Sequence, residues 1–169
     1  MKSKGCLGVL IFFAIMAAGF VITVLNENIK PVESKVVFDA LQYAVEDGKN
    51  ISESELIAKL GEPDSIEEWN YKTSYGVAYP IRTLHYDKTE YSFNNDALHR
   101  ITIWDRIPYN KKKDFLSMFN LRKYANTTIN DTGFYYRAYN CGVHDLWLEY
   151  DDAEISMVKI SYGSLFSGD

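Results

Sequence analysis

Beyond residue 25 this chain has one cysteine, Cys141. A lone cysteine closes no internal disulfide, so no disulfide framework holds the domain together and stability must come from packing. No C-x-x-C or H-x-x-x-H spacing is present, and His85, His99 and His144 are scattered along the chain. That spread excludes any recognisable metal-ligand pattern. Phosphate-binding glycine loops, a nucleophile elbow and kinase elements are also lacking. Positive charge is in deficit. Residues 1–25 hold Lys2 and Lys4 and no acid, which leaves 16 basic and 23 acidic residues in the remainder, a net charge of −7. Such a domain is repelled by nucleic acid and by anionic head groups, so nucleic acid is not an expected partner.

What is present starts at the N-terminus. Residues 5–25 run 21 positions without a charge, with Thr23 as the only hydroxyl. A helix of that length spans roughly 30 Å at ~1.5 Å per residue, the thickness of a bilayer core. Ala17-Ala18-Gly19 resembles a cleavage site, but the apolar run continues through Leu25. An uncleaved, single-pass transmembrane helix (a signal-anchor) is therefore expected over 1–25, making the membrane a partner through residues 5–25. Secretion after signal cleavage is the alternative. Lys2 and Lys4 precede the run and nothing comparable follows it, which places the N-terminus in the cytoplasm and the remaining domain outside. Cys6 stands before the apolar run, so it is not a lipobox cysteine.

Residues 26–34 read as a polar linker with Pro31, and residues 35–169 as one α+β domain. The domain holds 22 of the 25 aromatics, which with many short alternating runs indicates a sheet. A helix is expected over 35–47, with Val37, Leu41, Ala44 and Val45 at helical spacing and Gly48 as its end. A second helix starts at Ser52, where Ser52-Glu53-Ser54-Glu55 is a capping box. Leu56, Ile57 and Leu60 form its apolar face, and Gly61 and Pro63 stop it. The period then changes to two. Strands are expected over 66–71, 81–86, 89–93 and 98–104, with turns at Asp87-Lys88 and Asn95-Asp96 and a longer loop over 72–79. A third helix after Pro108 takes Asn110 as its cap. Residues 122–132 read as polar and turn-rich. Three more strands follow, over 134–139, 145–150 and 155–162. The order predicts a helix-helix-antiparallel sheet domain and allows two helix-plus-meander units.

The stretch 51–103 carries a capped helix ending Leu60-Gly61-Glu62-Pro63, the aromatic strand Trp69-Asn70-Tyr71, the hairpin Leu84-His85-Tyr86 to Tyr91-Ser92-Phe93, and then Asn95-Asp96-Ala97-Leu98. It resembles the SmpA/OmlA (BamE-like) family and the β-lactamase inhibitor protein domains that share its helix-helix-sheet fold. The resemblance implies a non-catalytic module of a cell-envelope protein that acts by protein–protein contact. The outer-membrane members are lipoproteins. This chain lacks a lipobox, so a plasma-membrane anchor facing outward fits better.

Chemistry-bearing candidates are few. Cys141-Gly142-Val143-His144-Asp145 puts a thiol, an imidazole and a carboxylate close in sequence, but a nucleophilic pair draws its members from distant segments. It is read as a turn leading into a strand. Glu149, Asp151, Asp152 and Glu154 form an acidic hairpin tip, read as solvated. No catalytic residue, cofactor or metal is expected. The expected function is a non-enzymatic, membrane-anchored cell-envelope protein whose domain binds another envelope protein. Tyr75, Tyr79, Tyr135 and Trp147 are its candidate aromatic anchors, because aromatics are enriched at interface hot spots. A small-ligand or peptide-binding module with an apolar, tyrosine-lined pocket is the alternative.

Overall fold

The computed structural model describes residues 35–44, 50–109 and 114–166. Strands dominate. They are β1 (Ser65–Lys72), β2 (Ala78–Tyr86), β3 (Thr89–Asn94), β4 (Ala97–Ile103), β5 (Ile107–Pro108), β6 (Thr128–Asp131), β7 (Tyr135–Tyr139), β8 (Asp145–Tyr150) and β9 (Glu154–Ser161). All pair antiparallel in one nine-stranded sheet of order β1-β2-β3-β4-β9-β8-β7-β6, with β5 added to β9. Only two short α-helices accompany them among the described residues, α1 (Glu53–Leu60) and α2 (Phe115–Met118).

The turns follow from local chemistry. Asn95 and Asp96 both take positive φ (48° and 61°), the conformation of a tight hairpin turn that short polar side chains tolerate. Helix α1 forms on the expected capping box: Glu55 N–H donates to Ser52 Oγ at 3.3 Å and Ser52 N–H to Glu55 Oε2 at 2.8 Å. Gly61 at φ 88° ends it, a backbone state that other residues adopt with strain.

The α+β, helix-helix-sheet expectation is corrected to a nearly all-β fold. Of the helix expected over 35–47, the described residues 35–44 form a single 3-10 turn, Ala40–Tyr43, capped by Asp39, and residues 45–47 with the expected end at Gly48 lie outside the described residues. The reason is tertiary: Val37 and Phe38 N–H donate to the Met118 carbonyl and Ala40 N–H to that of Phe119, and Ala44 bridges to Asn50. These donors are spent on a neighbouring segment instead of on a helix ladder. The third helix shrinks to four residues capped by Asp114; the expected cap, Asn110, lies outside the described residues. Strand β6 lies inside the stretch read as turn-rich, and its four residues are all exposed, so no alternation marks it. The transmembrane expectation gains no support, since no helix among the described residues is long and apolar enough to cross a membrane. The expected single-pass anchor at 5–25 itself lies outside the described residues.

Two four-stranded meanders, β1–β4 and β6–β9, meet at the β4–β9 pair, where Arg100, Ile101, Thr102 and Ile103 face Ser161, Ile160, Lys159 and Val158. Each meander carries a bulge at the same place. In one, Ser92 pairs Arg100 and Phe93 pairs Leu98, leaving His99 extra; in the other, Glu149 pairs Met157 and Tyr150 pairs Ile155, leaving Ser156 extra. The strand halves therefore repeat each other, whereas the helical part of each expected unit is reduced to α1 and α2.

Side chains alternate between the two faces of a strand. One face takes Leu84, Tyr91, Phe93, Leu98, Ile101 and Ile103 from the first meander, and Tyr136, Leu146, Leu148, Tyr150, Ile155, Val158 and Ile160 from the second, all buried. Leu56, Tyr43, Phe115, Leu116 and Phe119 cover that face and complete the core. Leu60, expected in the apolar face of α1, is exposed instead. Leu98→Ala is expected to lower unfolding free energy by about 2–5 kcal/mol, because a fully buried side chain is lost from a packed core. Ser52→Ala is expected to cost about 1 kcal/mol by removing the cap. Urea unfolding midpoints check both.

Candidate functional site

The opposite face of the sheet is built differently. The register lays one row across it, Ser65-His85-Glu90-Thr102-Lys159-Trp147-Arg137-Asn130, and a second, Glu67-Thr83-Ser92-Arg100-Ser161-Asp145-Tyr139-Thr128. Aliphatic side chains give way here to hydroxyls, aromatics and charges. Across β2, β3, β4 and β9 the floor is small and polar: Thr83, Ser92, Thr102 and Ser161 are buried, and the Thr83 and Ser92 hydroxyls meet at 3.0 Å.

Each half of this open face holds an aromatic cluster with a cation over it. In the first, Trp69 indole N–H donates to Thr83 Oγ1 at 3.0 Å. After β9 the chain turns through a 3-10 segment, Ser164–Phe166, and puts Phe166 against Trp69 and Tyr71. The Arg100 guanidinium stands 4.1 Å from the Phe166 ring centre. Ile81 and Phe166 are both buried there. In the second half, Lys159 Nζ lies 4.5 Å and the Arg137 guanidinium 5.3 Å from the Trp147 ring centre, and Arg137 also stands 5.0 Å from that of Tyr139. Cations are attracted to the negative face of an aromatic ring.

Arg137 is fixed by a forked contact to Asp145: Nη2 donates at 2.7 Å and Nε at 3.1 Å to Oδ2. The two side chains are 17% and 4% exposed, so the pair is largely out of water and breaking it is costly.

Open clefts border the sheet among the described residues. One, about 470 Å³, lies at the N-terminal end of α1, lined by Glu53, Glu68, Trp69, Pro80, Arg82 and Asp96 among others. Arg82, held by Glu53 at 2.8 Å and Glu68 at 2.5 Å, lines it together with the apolar Trp69, Ile81 and Phe93. Another, about 290 Å³, lies on the open face where β7, β8 and β9 end, lined by Phe134, Tyr135, Trp147, Glu149, Tyr150, Asp151 and Ser156.

Of the expected anchors, Tyr79, Tyr135 and Trp147 all project onto the open face by register, the first in one half of the sheet and the other two together in the other. Tyr135 and Trp147 share the smaller cleft. Tyr75 instead sits in the β1–β2 turn, 93% exposed and away from the row of strands. Sequence reading missed Arg137 and Phe166. Arg137 had a usable signal, since it alternates with Tyr135 and Tyr139 and so shares their face. Phe166 had none, because its position depends on the chain folding back after β9.

The Cys141-to-Asp145 stretch does not form a reactive group. The Cys141 thiol is fully buried, donates to the Ala138 carbonyl at 3.6 Å, and is pushed up to about 11 by burial. Asp145 is engaged by Arg137. Among the described residues no group of three or more His, Cys, Asp and Glu side chains is placed to hold a metal. No family model matches this chain, and neither characterised proteins nor solved structures give a significant match.

Two measurements check this geometry. Asp145→Ala is expected to cost about 3–5 kcal/mol in urea unfolding by breaking the largely buried Arg137–Asp145 pair, whereas exposed Ala58→Ser is expected to stay within about 0.5 kcal/mol. The second concerns His99, whose pKa burial holds below the ordinary 6.5. Its Nδ1 is buried without a hydrogen-bond partner. In the unfolded chain the ring binds a proton near 6.5 and in the folded chain only at lower pH. Stability from this residue is therefore complete above pH 6.5 and is lost as pH falls through the folded value. His99→Gln is expected to flatten the unfolding-versus-pH curve just below pH 6.5.

Proposed function

We propose that this chain is a non-catalytic cell-envelope protein, held at the cell membrane through residues 5–25, whose outward-facing domain binds another protein through the open face of its sheet. The observation that carries the reading is the division of labour between the two faces. One face takes the aliphatic residues and is covered by α1, α2 and the 3-10 turn. The other gathers tryptophan, tyrosine, arginine and lysine in fixed cross-strand rows. Aromatics and arginine are the residues that dominate interface energetics. Their rigidity here, with Arg137 locked on Asp145, lowers the entropy lost on association. The apolar N-terminal run after Lys2 and Lys4 supports an envelope setting with the N-terminus in the cytoplasm.

The test is chemical crosslinking in intact cells followed by affinity capture of the full chain. Membrane-impermeant reagents are expected to reach the domain. One envelope protein is expected to be recovered, with its yield falling roughly tenfold in Tyr135→Ser, the loss of one aromatic anchor. Leu60→Ser, exposed on α1 on the opposite side of the sheet, is expected to leave the yield unchanged. Equal yields from both variants contradict the reading.

A further inference from the structure

We infer that the cleft at the β7–β8–β9 end of the open face receives a lysine or arginine side chain of the protein partner; the inference rests on the protein-binding reading above. Three aromatic side chains wall the cleft, Phe134, Tyr135 and Trp147, and two carboxylates, Glu149 and Asp151, stand with them. Phe134 is 80% exposed, a phenylalanine left in water beside the opening of a cleft rather than packed in the core. A single exposed ring is ordinary, but one grouped with Tyr135 and Trp147 at the same opening is the kind of apolar patch that marks an interaction surface.

The charges choose among occupants. The Glu149 carboxylate is exposed and has no hydrogen bond or ion pair among the described residues. Asp151 accepts from the Ala153 and Glu154 amides at 2.8 and 3.0 Å, which stabilise its ionised form. An anionic side chain entering here meets two negative charges. A purely apolar one covers Glu149 without pairing it, at the cost of stripping water from a lone charge. A cationic side chain pairs with Glu149 and lies against the Phe134 and Tyr135 rings, whose faces attract it. Its aliphatic stem also covers the rings, because lysine and arginine bury their methylenes while the head stays paired. The chain already shows this chemistry next door. Its own Lys159 and Arg137 stand over Trp147, and neither lines the cleft. The net charge of −7 beyond residue 25 favours a basic partner at longer range as well.

The test uses the full chain in detergent micelles, labelled with 5-fluorotryptophan and observed by fluorine NMR. The chain has three tryptophans, so Trp147→Phe identifies the Trp147 signal as the one that disappears. Hexalysine is the probe and hexaglutamate its opposite. Hexalysine is expected to move the Trp147 signal while those of Trp69 and Trp104 stay, and hexaglutamate to move none. Glu149→Gln is expected to weaken hexalysine binding roughly threefold to tenfold, the loss of one close ion pair. Glu62→Gln, an exposed acid outside the cleft, is expected to leave it unchanged. A Trp147 signal that ignores hexalysine, answers hexaglutamate equally, or weakens as much in Glu62→Gln overturns the inference. If partner capture still depends on Tyr135 in that case, the protein-binding reading stands and only the basic occupant falls. Capture that is indifferent to Tyr135 overturns both.

Discussion

The pairing of β4 with β9 is the constraint on which the rest depends. Residues 100–103 find residues 158–161, far away in sequence, and only that ladder turns two meanders into one sheet. Without it each meander would present a bare edge of backbone donors and acceptors in the middle of the molecule. With it, the core-side residues Ile101 and Ile103 lie beside Ile160 and Val158, and the open-face residues Arg100 and Thr102 lie beside Ser161 and Lys159. The same register thus seals the core and aligns the rows of the open face. Loop closure over such a separation is slow compared with a local hairpin. Each meander closes through short turns, so the central pair is the step that requires both halves to be formed.

Sidedness follows from that register. A slip of one residue at β4–β9 would send Ile101 and Ile103 to the polar face and Arg100 and Thr102 into the core. The paired bulges at Phe93 and Tyr150 add local twist at equivalent places in the two halves. The open face is then stiffened by contacts that leave its aromatics oriented: Trp69 tied to Thr83, Phe166 beneath Arg100, and Arg137 clamped by Asp145 with Trp147 alongside. The two halves differ in one respect. The first receives Phe166 from the 3-10 segment that follows β9. The second borders a cleft whose aromatic and acidic walls are open.

Much of the sheet was legible in the sequence because alternation is a local signal. Strands near 66–71, 81–86, 89–93, 98–104, 145–150 and 155–162 and the turns at Asp87 and Asn95 follow from period two and turn chemistry. The capping box at Ser52 is equally local, and α1 starts on it. The rest required information held elsewhere in the chain. Val37, Leu41 and Ala44 repeat at helical spacing, yet the backbone there bonds to Met118 and Phe119. Strand β6 has four exposed residues and exists only because β7 offers an edge. The expected site was legible in part: Tyr135 and Trp147 are brought together, Tyr79 shares their face from the other half, and Tyr75 lies off the sheet in a turn. Its charged members, Lys159 above all, come from a strand whose register no local pattern specifies.

The proposal above puts the partner on the open face of the sheet and not on the helix-covered face. The most direct measurement places a photoreactive amino acid singly at Tyr135 and at Leu60 in the full chain and irradiates intact cells. A discrete adduct of one size is expected from position 135 and none from position 60. An adduct from position 60 alone would contradict it.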